Sequence, residues 1–333
     1  MIESNGYFVN NSQIYKDTNL IENPKDKEIL VEILFCGLCR TDLHVIDQEI
    51  PFTKYPVIPG HQIVGKIIQK GQNSTSQIGK KVGIYWLYST CQKCQYCNQG
   101  RENLCDKANF TGCTVHGGFQ QYIKINEEYV VDIPDFYEDH EIAPLLCAGI
   151  IGYRSLSLIE ECETIGIYGF GSAGHIISQI AIWQGKKILA FIKKGDTKTA
   201  QLAENLGCKV YYSNQIINHK HQGSIIFAPS GKLLKIALLN TTKGGTVVCG
   251  GIHMSDIPPL KYQWIWNEKT IKSVANVTRQ DANNFFQIIQ KIYQKDRKKI
   301  KIDTDVYPIE NITQVIQEYR KGKTGKSVVF KLK

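Results

Sequence analysis

The stretch Ile165-Gly166-Ile167-Tyr168-Gly169-Phe170-Gly171-Ser172-Ala173-Gly174 decides the fold class. Its first four residues are apolar or small and suit a buried strand; the glycine pattern then opens a helical run that reaches Trp183. In G-x-G-x-x-G the first glycine permits a tight turn. The second lets a phosphate approach the backbone, and the third packs helix closely on strand. A helix beginning there points free N–H groups and the positive end of its dipole at the same place. Alone the pattern is weak. Between a strand and a helix it makes Gly169, Gly171, Ser172, Ala173 and Gly174 a candidate dinucleotide site. Outward from it the rhythm repeats. Residues 187–192, 224–228 and 245–249 read as strands, alternating with helices over 200–206 and 233–239. That alternation predicts an α/β fold with a doubly wound parallel sheet, placed at 149–276. In NAD-binding sheets of this kind an acid at the end of the second strand holds the ribose 2′-hydroxyl. Here the strand ends Ile192-Lys193-Lys194-Gly195, and Asp196 falls beyond the glycine.

Before this region, residues 28–34, 62–68, 81–85 and 121–125 read as short strands between Gly, Pro and Asn breaks, as an irregular β domain should. After about residue 277 come a helix over 281–294, a second over 313–319 and a closing strand at 327–332. The 333 residues, 42% of them hydrophobic, suffice for two domains. Lys and Arg bring the net charge to +9 but are spread along the chain. This describes a solvated surface with an anionic cofactor better than a nucleic-acid face. The first residues lack the apolar core of a signal peptide, and no apolar run is long enough to span a bilayer. With metal-ligand spacings among the 11 cysteines, the expectation is a soluble cytoplasmic protein without membrane or nucleic-acid partners.

Cys91-Gln92-Lys93-Cys94-Gln95-Tyr96-Cys97, followed by Cys105, gathers four thiolates in one short lobe, about residues 88–108. The set fits a closed tetrahedral zinc whose binding orders a loop with little core of its own. Two disulfides or scattered core thiols are the alternatives. A second set lies in Cys36-Gly37-Leu38-Cys39-Arg40-Thr41-Asp42-Leu43-His44 and Pro59-Gly60-His61-Gln62. A catalytic zinc takes three protein ligands and leaves one position open. Cys39 and His61 supply two, and Cys147 is the best candidate for the third. The spacing of Cys36 and Cys39 also leaves open a knuckle in which both bind one metal.

The runs Gly37-Leu38-Cys39-Arg40-Thr41-Asp42-Leu43-His44, Gly60-His61 and Pro144-Leu145-Leu146-Cys147-Ala148-Gly149 resemble the zinc-dependent alcohol dehydrogenases of the medium-chain dehydrogenase/reductase superfamily. Residues 251–260 and 273–279 are most similar to the bacterial zinc-binding type. The resemblance implies a GroES-like, mostly β catalytic domain from 1–148 and 277–333, and a Rossmann dinucleotide-binding domain at 149–276. It implies two Zn2+ per subunit, a small alcohol or aldehyde substrate, a nicotinamide cofactor, and a homodimer or homotetramer. It places the catalytic ligands at Cys39, His61 and Cys147 and leaves Cys36 a buried thiol. By the same resemblance Thr41 receives the substrate proton, which passes through the cofactor ribose to His44. Arg40 pairs with the cofactor pyrophosphate, Asp42 holds the His61 ring, and Trp86 walls the substrate pocket. These residue types suit the roles: a hydroxyl donates and accepts at once, and a histidine titrates near neutrality.

Two positions depart from the family pattern. Gln62 stands where glutamate usually follows the ligand histidine, and Ile151 where threonine often faces the nicotinamide. The missing acid at Ile192, with Lys193, Lys194 and Lys198 close in sequence, favours NADP(H) slightly over NAD(H). Two alternatives are a zinc-free quinone reductase, which would lack both cysteine sets, and a non-catalytic zinc- and nucleotide-binding protein such as an RNA binder.

Overall fold

A computed structural model describes residues 1–324 and 326–333. It divides into two compact units. One comprises Met1–Cys147, Asn276–Gln294 and Lys301–Lys333; the other comprises Ala148–Ala275 and Lys295–Ile300.

The first unit begins with a hairpin of β1 (Ile2–Asn10) and β2 (Gln13–Ile21). Its two-residue turn, Asn11-Ser12, has φ of 47° and 60°. Two positive φ values are what a tight hairpin needs to match strand twist, and asparagine tolerates them best among non-glycine residues. Next come β3 (Glu28–Leu38), α1 (Arg40–Ile46), β4 (Gln62–Lys70), β5 (Lys81–Ile84) and β6 (Leu87–Ser89). They are followed by α2 (Gln95–Asn98), β7 (Asn109–Phe110), β8 (Tyr122–Asn126), β9 (Val130–Asp132) and α3 (Asp139–Ile142). The antiparallel pairing of β6 with β7 closes the base of the cysteine lobe. β3 pairs with β4 and β8, and Ile29, Leu30, Val31, Ile33, Cys36 and Leu38 along it are buried. A strand covered on both faces reads as a nearly continuous apolar run, which this one is.

The second unit runs α4 (Ala148–Ser157), β10 (Thr164–Tyr168), α5 (Ser172–Trp183), β11 (Lys187–Ile192), α6 (Thr197–Asn205) and β12 (Lys209–Tyr212). It continues with β13 (His221–Ile226), α7 (Lys232–Asn240), β14 (Thr241–Cys249) and β15 (Thr270–Ser273). Its six strands are all parallel, in the order β12-β11-β10-β13-β14-β15. The strand order reverses beside β10, and in such sheets ligands bind beyond the carboxyl ends of the strands at that reversal. The Gly169–Gly174 turn leaves β10 at that end. One part of the core stacks Tyr168 on Phe191 at 4.1 Å and covers them with Leu234 and Leu238 of α7. Burying one such side chain contributes about 1.5–3 kcal/mol.

The remaining elements are α8 (Arg279–Asp296), β16 (Thr304–Pro308), α9 (Ile312–Arg320) and β17 (Ser327–Lys331). Ala282, Phe285, Phe286, Ile289 and Ile292 form the buried stripe of α8 at helical spacing. Its start is fixed reciprocally: the Asp281 carboxylate accepts from Thr278 N at 2.7 Å, and Asp281 N donates to the Thr278 hydroxyl at 3.0 Å. β17 pairs with β3, which makes the C-terminal strand part of the first unit's main sheet. Among the described residues no helix is long and apolar enough to cross a membrane.

Candidate metal centre and dinucleotide site

Where β3 ends, Cys39 is extended and caps α1. Its Sγ accepts from Thr41 N at 3.3 Å, and Asp42 Oδ2 accepts from Cys39 N at 2.8 Å. The same carboxylate has a second task. Asp42 Oδ1 accepts from Gly60 N at 3.1 Å and pairs with His61 Nδ1 at 3.0 Å. One buried aspartate thus fixes the helix start, the turn before His61 and the imidazole's orientation. Its hold on Nδ1 directs Nε2 toward the thiols.

His61 Nε2 lies 3.4 Å from Cys39 Sγ and 3.3 Å from Cys147 Sγ, and the two sulfurs are 4.0 Å apart. Tetrahedral zinc, with Zn–S about 2.3 Å and Zn–N about 2.0 Å, sets its donors about 3.5 Å (S to N) and about 3.8 Å (S to S) apart. The three atoms therefore fit zinc as they stand. Cys147 reaches the cluster from the end of a helical turn over Ala143–Leu146 that contains Pro144. A hydrogen bond from Cys147, then the charge of His61, holds the Cys39 thiol well below its ordinary range; the same bond and burial push Cys147 up. Burial works against a charged His61 ring, but Asp42 and Cys39 outweigh it and raise its pKa. Cys36 stays outside the cluster. A Cβ built on Gly60 would lie 2.8 Å from the Cys36 sulfur, which packs beneath that turn, and burial drives its thiol well upward. The knuckle pairing of Cys36 with Cys39 is not formed.

Around this cluster, the Trp86 ring meets His61 edge-on at 5.2 Å and stacks on Phe110 at 5.3 Å. Thr41 and His44 lie three residues apart on α1, hence on one face. His44 Nδ1 pairs with Glu49, a partner that spacing gave no reason to name. Gln62 opens β4 opposite Gly37, where a Cβ would come within 2.5 Å of its amide oxygen. Its buried side chain lies over that glycine. Arg40 is exposed at the first position of α1.

Cys91, Cys94, Cys97 and Cys105 form the second cluster. Cys94 and Cys97 sulfurs are 3.6 Å apart, and Cys91 N donates to Cys105 Sγ at 3.5 Å. Backbone N–H groups, first that of Lys93, pull the Cys91 thiol down to about 6, as suits a thiolate ligand. All cysteines are free, so the disulfide alternative does not hold.

The glycine turn separates into two kinds of position. Gly169 has φ of +94°, and a Cβ there would come within 2.7 Å of Ala228 N; a Cβ on Gly174 would come within 2.7 Å of Gly169 O. Packing alone accounts for both. A Cβ on Gly171, at the N-cap of α5, would meet no atom within 4 Å. Space reserved there, ahead of the Ser172-Ala173 first turn, fits a diphosphate. At the end of β11, Ile192 is buried beside Tyr212 of β12, whereas Lys193, Lys194 and Lys198 are exposed. Asp196 caps α6, accepting from Thr199 N at 3.1 Å. Ile151 is half-buried on α4.

Comparison with known proteins agrees with this geometry. Residues 25–135 match the model of the alcohol dehydrogenase GroES-like domain family. A probable alcohol dehydrogenase of Mycobacterium tuberculosis is 36% identical over 326 residues, covering 94% of this chain and 91% of that protein. An alcohol dehydrogenase of Geobacillus stearothermophilus is 33% identical, covering 94% of each. The fold is shared with a cinnamyl alcohol dehydrogenase from Sorghum bicolor, with a TM-score of 0.88, 22% identity and coverage of 99% and 98%. It is also shared with the CAD of Helicobacter pylori complexed with NADP(H), with a TM-score of 0.85, 24% identity and the same coverage. A match at this identity over nearly the full length of both chains is a match of family, and this chain belongs to the zinc-type, medium-chain alcohol dehydrogenases, which interconvert alcohols and aldehydes with a nicotinamide cofactor.

Proposed function

We propose that this protein is a zinc-dependent alcohol dehydrogenase holding two zinc ions per subunit, a catalytic one at Cys39, His61 and Cys147 and a structural one at Cys91, Cys94, Cys97 and Cys105. The observation that carries it is the spacing of the first three donors, 3.3 to 4.0 Å, with Asp42 holding the back of the imidazole. When bound, a three-ligand zinc supplies Lewis acidity toward a substrate oxygen. The chain's own residues do the rest. Thr41 takes the proton of the substrate hydroxyl, and His44, oriented by Glu49, delivers it to solvent at the other end of the relay. Trp86 bounds the space beside His61 and favours small or slender alcohols. Arg40 pairs with the cofactor pyrophosphate, and Ile151 presses on the nicotinamide without a hydrogen bond. Gln62 keeps a further negative charge away from the cluster.

The catalytic domain spans 1–148 and 277–333, and the dinucleotide domain 149–276. NADP(H) is favoured over NAD(H), since no carboxylate stands at Ile192 to repel a 2′-phosphate and Lys193 and Lys194 are exposed for it. Self-association to a dimer or tetramer is supported by β15, an edge strand, with Ile271 on it and Tyr262 and Trp266 exposed just before it. A zinc-free quinone reductase has no use for either cluster, and a non-catalytic binder none for Thr41 and His44.

Metal analysis joined to turnover tests the proposal. The wild-type protein is expected to hold two zinc ions. Cys39→Ala and His61→Ala are each expected to retain one and to lose alcohol oxidation while staying folded. Cys94→Ala should instead lower solubility and thermal stability. One zinc in the wild type, or normal turnover by Cys39→Ala, would refute it.

A further inference from the structure

Trp86 is more constrained than its stacking requires. Its indole Nε1 donates to Asn276 Oδ1 at 2.9 Å, across 190 residues of sequence. The other end of the same amide, Asn276 Nδ2, donates to the Asn103 carbonyl at 3.1 Å. Asn103 lies between the third and fourth thiols of the cysteine lobe. A second strut runs beside the first. Glu102 accepts from the Arg279 guanidinium at 2.8 and 3.0 Å and from Arg279 N, the first N–H of α8, at 2.8 Å. The lobe is therefore clamped to the segment that carries Asn276, and that segment holds the indole packed on His61.

The chemistry of position 276 is narrow. An indole N–H can only donate and a backbone carbonyl can only accept. The residue between them must offer one acceptor and one donor on a short planar group, which is a primary amide. Its backbone φ of +56° suits asparagine better than most residues. Glutamine would carry the amide one methylene too far.

We propose that Asn276 is a positioning residue that fixes the Trp86 indole beside His61 and ties it to the four-cysteine lobe, so that the width of the substrate pocket depends on the lobe. This rests on the metal centre and pocket assigned above. It gives the lobe a role beyond stability: Glu102 and Asn103 transmit its order to the wall of the active centre. Loosening the indole leaves the ligands in place but admits bulkier substrates.

Asn276→Gly is the appropriate variant, because glycine keeps the positive φ without strain and removes only the amide. Two readouts apply. One is the ratio of kcat/KM for ethanol to that for benzyl alcohol; the other is iodide quenching of tryptophan fluorescence, which needs no turnover. Asn276→Gly is expected to keep two zinc ions, lower the ratio about tenfold, the scale on which a pocket senses about one methylene, and increase quenching. In a Trp86→Phe background both changes should vanish, since no indole N–H remains to be held. Asn276→Asp keeps an acceptor for the indole but offers nothing to Asn103. It is expected to lower the ratio part of the way toward that of Asn276→Gly, because the indole is held but no longer tied to the lobe, and to release the lobe zinc faster to a chelator. An unchanged ratio and unchanged quenching in Asn276→Gly would overturn the proposal. So would equal shifts in the Trp86→Phe background, or a wild-type ratio in an Asn276→Asp protein that releases the lobe zinc faster. A wild-type protein without catalytic zinc or alcohol turnover would instead refute the assigned function, and quenching would still decide the indole contact.

Discussion

Lowering the pH from 7.5 to 5 should loosen the sheet of the second unit through one residue, His221. The ring is fully buried at the start of β13, in room that exists because Gly166 has no side chain; a Cβ there would lie 2.4 Å from Nε2. The protons around it can be followed. Thr241 Oγ1 donates to Ala237 O at 2.7 Å and so accepts from Ser224 Oγ at 2.8 Å. Ser224 Oγ, its proton spent, accepts from His221 Nε2 at 2.8 Å. The neutral ring is thus the Nε2–H tautomer, and its buried Nδ1 has no partner among the described residues. Protonating Nδ1 would place a charge and an unmet donor against Tyr168 and Phe191. Burial accordingly lowers the pKa to about 4. In the unfolded chain the ring titrates near 6.5. As pH falls the unfolded state binds its proton first, so stability is full above about 6.5 and is lost between there and about 4. At about 1.36 kcal/mol for each tenfold change, the loss by pH 5 is about 2 kcal/mol and its limit about 3.4 kcal/mol. Two units and two metal sites make a single unfolding free energy ill-defined. The assay is therefore amide hydrogen exchange in peptides covering residues 164–168 and 221–226, corrected for intrinsic rates. Protection should fall about thirtyfold in the wild type, the equivalent of about 2 kcal/mol, and stay level in His221→Leu. Equal pH dependence in both proteins would refute the argument.

Other consequences are checked more simply. Asp42→Asn should weaken zinc binding at the three-ligand centre ten- to a hundredfold, read by chelator competition, with the four-cysteine site unaffected; unchanged affinity would mean that Asp42 serves only the helix cap. Gly169→Ala is expected to destabilise the second unit through strain and the clash with Ala228, seen as a lower melting temperature of that unit. Gly171→Ala should leave Tm unchanged and raise the cofactor Kd, the reverse of what a purely structural glycine would do. With NADPH and one aldehyde, the paired change Lys193→Ala and Lys194→Ala should lower kcat/KM about tenfold relative to NADH, more at low salt than at high salt; no change would move the 2′-phosphate contact elsewhere.

How much of this could be read before the structure depends on the kind of constraint each residue obeys. The parallel sheet was legible because every strand and helix repeats the same periodic demand, and one turn with special backbone chemistry fixes the register of the pattern. The candidate metal-binding side chains were legible because few residue types bind zinc; family resemblance, beyond spacing, singled out Cys39, His61 and Cys147, and the structure brings these three together. Cys36 marks the boundary of that method. It has the same side chain as Cys39, three residues away, but lies on β3 with its sulfur under the Gly60 turn, whereas Cys39 stands at the first turn of α1. Only the strand-to-helix break between them separates a thiol of the three-donor cluster from a core thiol. α1, with seven residues, is too short to show a period. The hairpin of β1 and β2 was missed because half-exposed strands alternate weakly, and Asn11-Ser12 is not among the strong turn pairs. Asp196, read as falling beyond the glycine and outside the ribose position, has its carboxylate committed to a helix cap. Asn276 was beyond reach altogether. Its meaning lies in a donor 190 residues away and an acceptor 173 residues away, and no local pattern records such a pair. Asn276 is thus silent to local rules because distant segments meet at it, beside the Trp86 indole that packs on His61.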